Sequence, residues 1–171
     1  MDGRSLYTPL FSGVYWDSQD YVMEDLKSVE VIRGPGGTLW GANAVNGVIN
    51  VTTKDAKDTQ GLLFTQSGGT EDLSTTAVRY GGKFNDDSYY RVYGKYQLFD
   101  DTNLPGTSSD NFDEWHRGQF GFRTDTYTGS NHLTVQADYF NIDADTSGTG
   151  ILDYDGGNIL ARLTHDFSED S

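Results

Sequence analysis

The stretch Val29-Glu-Val-Ile-Arg-Gly-Pro-Gly-Gly-Thr-Leu-Trp-Gly-Ala-Asn-Ala-Val-Asn-Gly-Val-Ile-Asn-Val-Thr-Thr-Lys54 decides how this chain is read. Two β-branched runs, residues 29–32 and 48–53, flank a glycine-rich, uncharged middle, and such runs bounded by Gly and Pro read as strands. Gly34-Pro35-Gly36-Gly37 forces a turn, because glycine reaches positive φ and proline fixes its own. Residues 39–44 fit one helical turn, ended by Asn46-Gly47. The expected unit is strand, tight turn, short helix, strand. It is not a phosphate cradle. Gly41 is followed by Ala42-Asn43 where a P-loop needs Lys and Ser or Thr, and the glycines at 34, 36 and 37 do not make Gly-x-Gly-x-x-Gly. On spacing alone they permit close backbone packing and nothing more.

The same stretch resembles the end of the plug domain of TonB-dependent outer-membrane receptors, and Asp2-Gly3-Arg4 resembles the Asp-Gly turn that precedes it in that family. The resemblance implies that Glu30, Arg33, Gly34, Pro35, Gly41, Asn43, Gly47 and Asn50 carry the plug motif. It also implies that Glu30 and Arg33 help lock the plug to the inner barrel wall through ion pairs. A buried pair of that kind is a geometric latch rather than a net stabiliser; the alternative is an ordinary surface salt bridge. The implied function is energy-coupled uptake at the outer membrane of a Gram-negative bacterium. A scarce ligand binds outside, the inner-membrane TonB complex pulls on the plug, and a path opens through the lumen, with no bond made or broken. No catalysis and no cofactor are expected. Ferric siderophores are the family's commonest ligands; cobalamin, haem, copper complexes and oligosaccharides are others. Tyr15, Trp16, Trp40, Phe112 and Trp115 are the candidate ligand contacts. For Trp115 an interfacial aromatic belt is the alternative, and for Trp40 core packing. The chain is expected to be a fragment. Met1-Asp2-Gly3-Arg4 opens without the basic and apolar regions of a signal peptide, and the TonB-contacting box, the first plug strands and most of a barrel of about 22 strands lie outside it.

Composition sets independent bounds. The 171 residues carry a formal charge of −14 and no cysteine, which excludes a disulfide scaffold and any thiolate site. The acidity argues against nucleic acid as a partner, since a phosphate footprint needs clustered Lys and Arg. No run of about 18 apolar residues is present, and the mean hydropathy is −0.60. A membrane β-barrel is compatible with both, because each strand alternates apolar and polar residues.

That alternation begins after residue 61. The expected domain plan is the C-terminal half of a plug at residues 1–54, a polar linker at 55–61, and six antiparallel strands of an incomplete transmembrane β-barrel at 62–171, mainly β throughout with a small mixed α/β plug. The six are residues 62–69, 75–84, 89–99, 117–125, 132–140 and 158–167. In the second, Thr76, Val78, Tyr80, Gly82 and Phe84 oppose Ala77, Arg79, Gly81 and Lys83; in the fourth, Gly118, Phe120 and Phe122 oppose Arg117, Gln119 and Arg123. One apolar and one charged face along successive strands suits lipid outside and water inside. From residues 85–88 onward the connections alternate short and long, with long loops at 100–116 and 142–157. The runner-up is a soluble, acidic, β-rich module that binds carbohydrate or another partner.

Within the second long loop, Asp143-x-Asp145-x-Ser147-Gly148 starts like an EF-hand and ends at position 12 on Tyr154 instead of Glu. Asp143, Asp145 and Asp153 are therefore only a weak Ca²⁺ candidate beside the solvated-loop reading. His116, His132 and His165 are too scattered for a metal site, and no carboxylate pair stands out as general acid and base.

Overall fold

A computed structural model describes residues 1–102, 113–145 and 151–167. The chain divides into two units, Met1–Asp55 and Ala56–Ser171.

In the first unit, β1 (Leu26–Arg33) and β2 (Gly47–Thr53) pair antiparallel, with Val29 opposite Val51 and Ile32 opposite Val48. Between them sits a single turn of helix, α1 (Gly37–Trp40). Gly34 takes φ +97° to leave β1, and Gly41 takes φ +92° to end α1, conformations that L side chains resist. At Gly47 a Cβ would sit 2.6 Å from the Ile32 carbonyl oxygen. The strand–turn–helix–strand unit thus forms as the sequence predicts, with two differences. The helical turn lies at Gly37–Trp40 rather than 39–44. β1 begins at Leu26 rather than at residue 29, directly after a 3₁₀ turn at Met23–Asp25, because Leu26 and Ser28 find ladder partners in Thr53 and Thr52. Asp2, buried, closes the unit. Its backbone N–H donates to the Val51 carbonyl, and its carboxylate accepts from the Thr53 N–H at 2.8 Å and the Thr53 hydroxyl at 3.0 Å.

The second unit is one sheet of six antiparallel strands in sequence order: β3 (Gly61–Ser67), β4 (Asp72–Asn85), β5 (Ser88–Phe99), β6 (Trp115–Thr128), β7 (Asn131–Asp145) and β8 (Ile151–His165). The six strands and their faces match the sequence reading, and burial runs opposite to that of a water-soluble sheet. The buried face holds Arg79, Arg91, Arg117, Gln119, Arg123, Asp125, Thr134 and Gln136, while Val78, Tyr80, Phe84, Phe120 and Leu163 are exposed on the other. All seven Lys and Arg of the strands fall on the buried-face register: Arg79 opposite Tyr93, Lys83 opposite Tyr89, Arg91 opposite Arg123, Lys95 opposite Gln119, Arg117 opposite Ile142, and Arg162 opposite Thr134. A soluble sandwich buries its apolar rows; a membrane barrel turns them to lipid. Among the described residues no helix is long and apolar enough to cross a membrane.

The second long loop is corrected. β7 runs to Asp145 and β8 starts at Ile151, with Asp143 directly opposite Asp153, so residues 142–157 are mostly a hairpin. The outward row of this hairpin turns from Leu133, Val135, Ala137 and Tyr139 to Asn141, Asp143 and Asp145. Polar residues there hide the strand from a hydropathy pattern. A strand of 15 residues is longer than the ~9–11 that a membrane-crossing strand needs, so the apolar row need not continue to its end.

Candidate functional site

The polar face of the sheet is organised around two clusters. The one near the β6–β7 turn centres on Asp125, fully buried. Arg123, two residues away on the same face of β6, donates from Nε to Oδ2 at 2.7 Å and from Nη2 to Oδ1 at 3.0 Å, a charge-assisted fork. The Thr134 hydroxyl donates to Oδ1 at 2.7 Å, and His132 Nε2 lies 2.9 Å from the same oxygen. The fifth contact comes from outside the sheet: the backbone N–H of Ala56 donates to Oδ2 at 2.7 Å.

Ala56 belongs to the linker, which is therefore anchored. Ala56 and Thr59 are buried, and residues Ala56–Asp58 form a 3₁₀ turn. Arg79 donates to the Thr59 carbonyl, and Gln60 Nε2 to the Ala56 carbonyl at 2.6 Å. Lys57 Nζ stands 4.6 Å over the Tyr127 ring, which stacks on His132 at 4.2 Å. A Cβ at Gly81 would collide with the Thr59 carbonyl, so the linker lies directly on strand backbone. Sequence reasoning took residues 55–61 as a polar tether and passed over Asp125. The available signal was Arg123-x-Asp125, an ion pair spaced for one face of a strand; its target lies 69 positions away and leaves no local trace.

The second cluster lies toward the opposite ends of the strands. Gln119 Nε2 donates to the Tyr93 hydroxyl at 2.7 Å, and that hydroxyl donates to Asp138 Oδ1 at 2.6 Å. Arg117 Nη2 donates to Gln119 Oε1 at 2.8 Å, and its guanidinium lies 4.9 Å from the Phe140 ring centre. Phe99 and Trp115 stack at 4.1 Å with 8° between planes. Cations beside flat aromatic faces hold anionic or planar solutes well. Trp115 sits on the same register row as Arg117 and Gln119, opposite Phe99, and so does not join an outward aromatic belt.

Other sequence-predicted residues are dispersed. Glu30 accepts from Asn50 Nδ2 at 2.9 Å, whereas Arg33 is exposed. Three residues apart on a strand, Glu30 and Arg33 point to opposite faces and cannot pair with each other. Trp16 and Trp40, with Asn43 and Gly47, line a depression of about 360 Å³ in the first unit. Trp40 is 44% exposed, which replaces the core-packing alternative, and Tyr15 packs edge-on against Phe11 at 4.7 Å. Pro35 is exposed in the turn after Gly34. Phe112 lies outside the described residues. Asp143 meets His116 Nε2 at 2.7 Å, and Asp153 accepts from Asn141 Nδ2 at 2.9 Å. Among the described residues, no three His, Cys, Asp or Glu side chains gather as a metal site.

Comparison with known proteins agrees with the local structure. The family model for the TonB-dependent receptor plug domain matches residues 1–48. The vitamin B12 transporter of Vibrio vulnificus is 41% identical over 46 residues, 27% of this chain and 8% of that protein. The pesticin receptor of Yersinia pestis is 30% identical over 90 residues, 52% of this chain and 13% of that protein. The ferric enterobactin receptor of Pseudomonas aeruginosa is 32% identical over 96 residues, 53% of this chain and 12% of that protein. The chain thus spans about a tenth of the length of the curated relatives it matches. No solved structure matches it. With a plug match over residues 1–48 and similarity that in two of these relatives covers more than half of the chain, the chain is similar to TonB-dependent receptors in its plug segment and in the strands that follow.

Proposed function

We propose that the protein carrying this chain is an outer-membrane receptor of a Gram-negative bacterium that takes up a ferric siderophore with energy delivered by the TonB complex. The observation that carries this reading is the sheet's inside-out burial next to a plug motif: a lipid-facing wall with a cationic inner face suits passage of a charged solute across a membrane. The siderophore assignment draws support from the stacked Phe99–Trp115 pair, which suits an aromatic-bearing ligand, and from similarity to the ferric enterobactin receptor. Trp115 is the ligand contact in that pair; Tyr15, Trp16 and Trp40 serve the same role on the plug. Glu30 and Arg33 act as its latch residues, and Gly34, Pro35, Gly41, Asn43, Gly47 and Asn50 keep their turn and ladder in shape.

The test is growth. A receptor-deficient Gram-negative strain expressing the complete receptor is grown under iron limitation on ferric catecholates, ferric hydroxamates or haem, and separately in a cobalamin-requiring background on cyanocobalamin. Growth on a ferric siderophore, lost when TonB is deleted, is expected. Growth on cyanocobalamin or haem alone replaces the ligand class, and TonB-independent growth overturns the transport reading. The chain by itself does not rescue growth, since six strands cannot close a barrel and leave two open edges.

A further inference from the structure

The outward face of the sheet is not a uniform apolar wall. A depression of about 490 Å³ opens there over Gly94 and Gly118, flanked by Val78, Tyr96, Phe120 and Tyr139. Their register places all six on one face: Val78 opposite Gly94, Gly94 opposite Phe120, Tyr96 opposite Gly118, and Phe120 opposite Tyr139. Neither glycine has positive φ. A Cβ on Gly118 would meet nothing within 4 Å, and one on Gly94 would meet only a backbone oxygen at 3.9 Å. Backbone conformation and packing therefore do not explain glycine at either place. The Tyr96 ring, although cross-strand from Gly118, does not cover it, so aromatic shielding of a strand glycine does not account for it either. Glycine inside a strand weakens it, and one remaining reason for it is close approach of something from outside the sheet.

We propose that this groove seats one acyl chain of a lipid from the leaflet on the side of the 100–114 connection. The groove is continuous with the lipid-facing rows, so hydrocarbon is what surrounds it. Lys95 and Gln119 also border it but pair with each other on the opposite face of the sheet, so the outward side chains around it carry no charge, and Phe120 and Tyr139 stand 5.4 Å apart at their ring centres as one bank. At one end it meets Thr76 and Asn141, where the outward row changes from apolar to acidic, the level at which an acyl chain gives way to its headgroup. The two glycines bring the chain against backbone, which a side chain at either position would prevent.

The experiment uses the complete receptor carrying this chain, reconstituted in phosphatidylethanolamine–phosphatidylglycerol vesicles doped with a phosphatidylethanolamine that bears a diazirine on one acyl chain. After illumination, labelled residues are mapped by peptide mass spectrometry. The expected result is several-fold stronger labelling of Tyr96, Phe120 and Tyr139 than of Phe84, Leu133 and Leu163 on the same face. That excess should be abolished in the Gly94→Leu/Gly118→Leu variant, with the other three unchanged. Gly118→Leu alone, which removes half of the excess, guards against a misfolded double variant. Equal labelling of both groups overturns the groove and leaves the membrane reading intact. Labelling of neither group overturns both, because the groove rests on that reading. Cross-linking of the groove residues to another protein, in place of lipid, also overturns the proposal.

Discussion

Phe122 and Arg123 are consecutive residues of β6, and they exchange the places a soluble protein would give them. The phenylalanine is 40% exposed, and the arginine is 3% exposed, forked onto a carboxylate with no exposure at all. The difference teaches which solvent each face was selected against. Burying a guanidinium is costly unless it is paired and hydrogen-bonded, and the buried face meets that condition with Asp125, Thr134 and the linker N–H. Leaving a phenyl ring open is costly in water and free in hydrocarbon, so the exposed face needs no partner. The two faces should therefore fail in different ways when altered, and measurement of folding stability in detergent and in lipid separates them.

The largest effect is expected on the buried face. Asp125→Ala strands Arg123 as an uncompensated buried charge and should cost about 3–5 kcal/mol, read as a fall in unfolding free energy of the complete receptor in urea. It also frees the Ala56 N–H, so amide exchange across residues 56–60 should accelerate. Replacing both partners, Arg123→Met with Asp125→Leu, should recover most of the loss in free energy, because no charge is left unpaired. It should not restore protection at Ala56. A double variant as unstable as the single one would show that the pair contributes more than mutual compensation.

The outward face answers to lipid depth instead. Phe122→Arg, in the middle of the apolar rows, should cost about 2–4 kcal/mol in a bilayer. Asp143→Arg, on the same outward face but beyond the point where it turns acidic, should cost only about 0–1 kcal/mol, even though it removes the contact with His116. Equal costs at the two positions would mean that the outward face does not cross a lipid boundary between them, and the comparison between faces would lose its physical basis.

How much of this was legible in the sequence follows from the range of each signal. Period-two alternation reports which face a residue occupies, so residues 75–84, 89–99 and 117–125 gave both strand and face correctly. The same signal failed for the first half of β8, where Asp153 and Asp155 occupy outward positions and mimic a loop. The turn chemistry of Gly34 and Gly41 was local and readable. Glu30 and Arg33 lie on opposite faces of β1, as three-residue spacing on a strand dictates. The anchoring of Ala56 by Asp125 was out of reach, because nothing in a seven-residue polar segment announces a partner on a strand four elements later.

The smallest effect is the most diagnostic, since it sets two glycines of β6 against each other. Gly121 is on the buried face, where a Cβ would come within 2.6 Å of the Tyr93 ring and 2.9 Å of the Ala137 carbonyl oxygen. Gly121→Ala must displace Tyr93 from its hydrogen bonds to Gln119 and Asp138 and should lower stability. Gly118, three residues earlier on the exposed face, offers a Cβ open space. There Gly118→Ala should raise stability in detergent by about 0.5–1 kcal/mol, the conformational penalty of glycine in a strand. The opposite signs come from the same substitution in the same strand, so propensity cancels and only the surroundings differ. A loss at Gly118 in detergent would mean that the space above it belongs to the protein's own packing, and the outward face would no longer be one that only lipid fills.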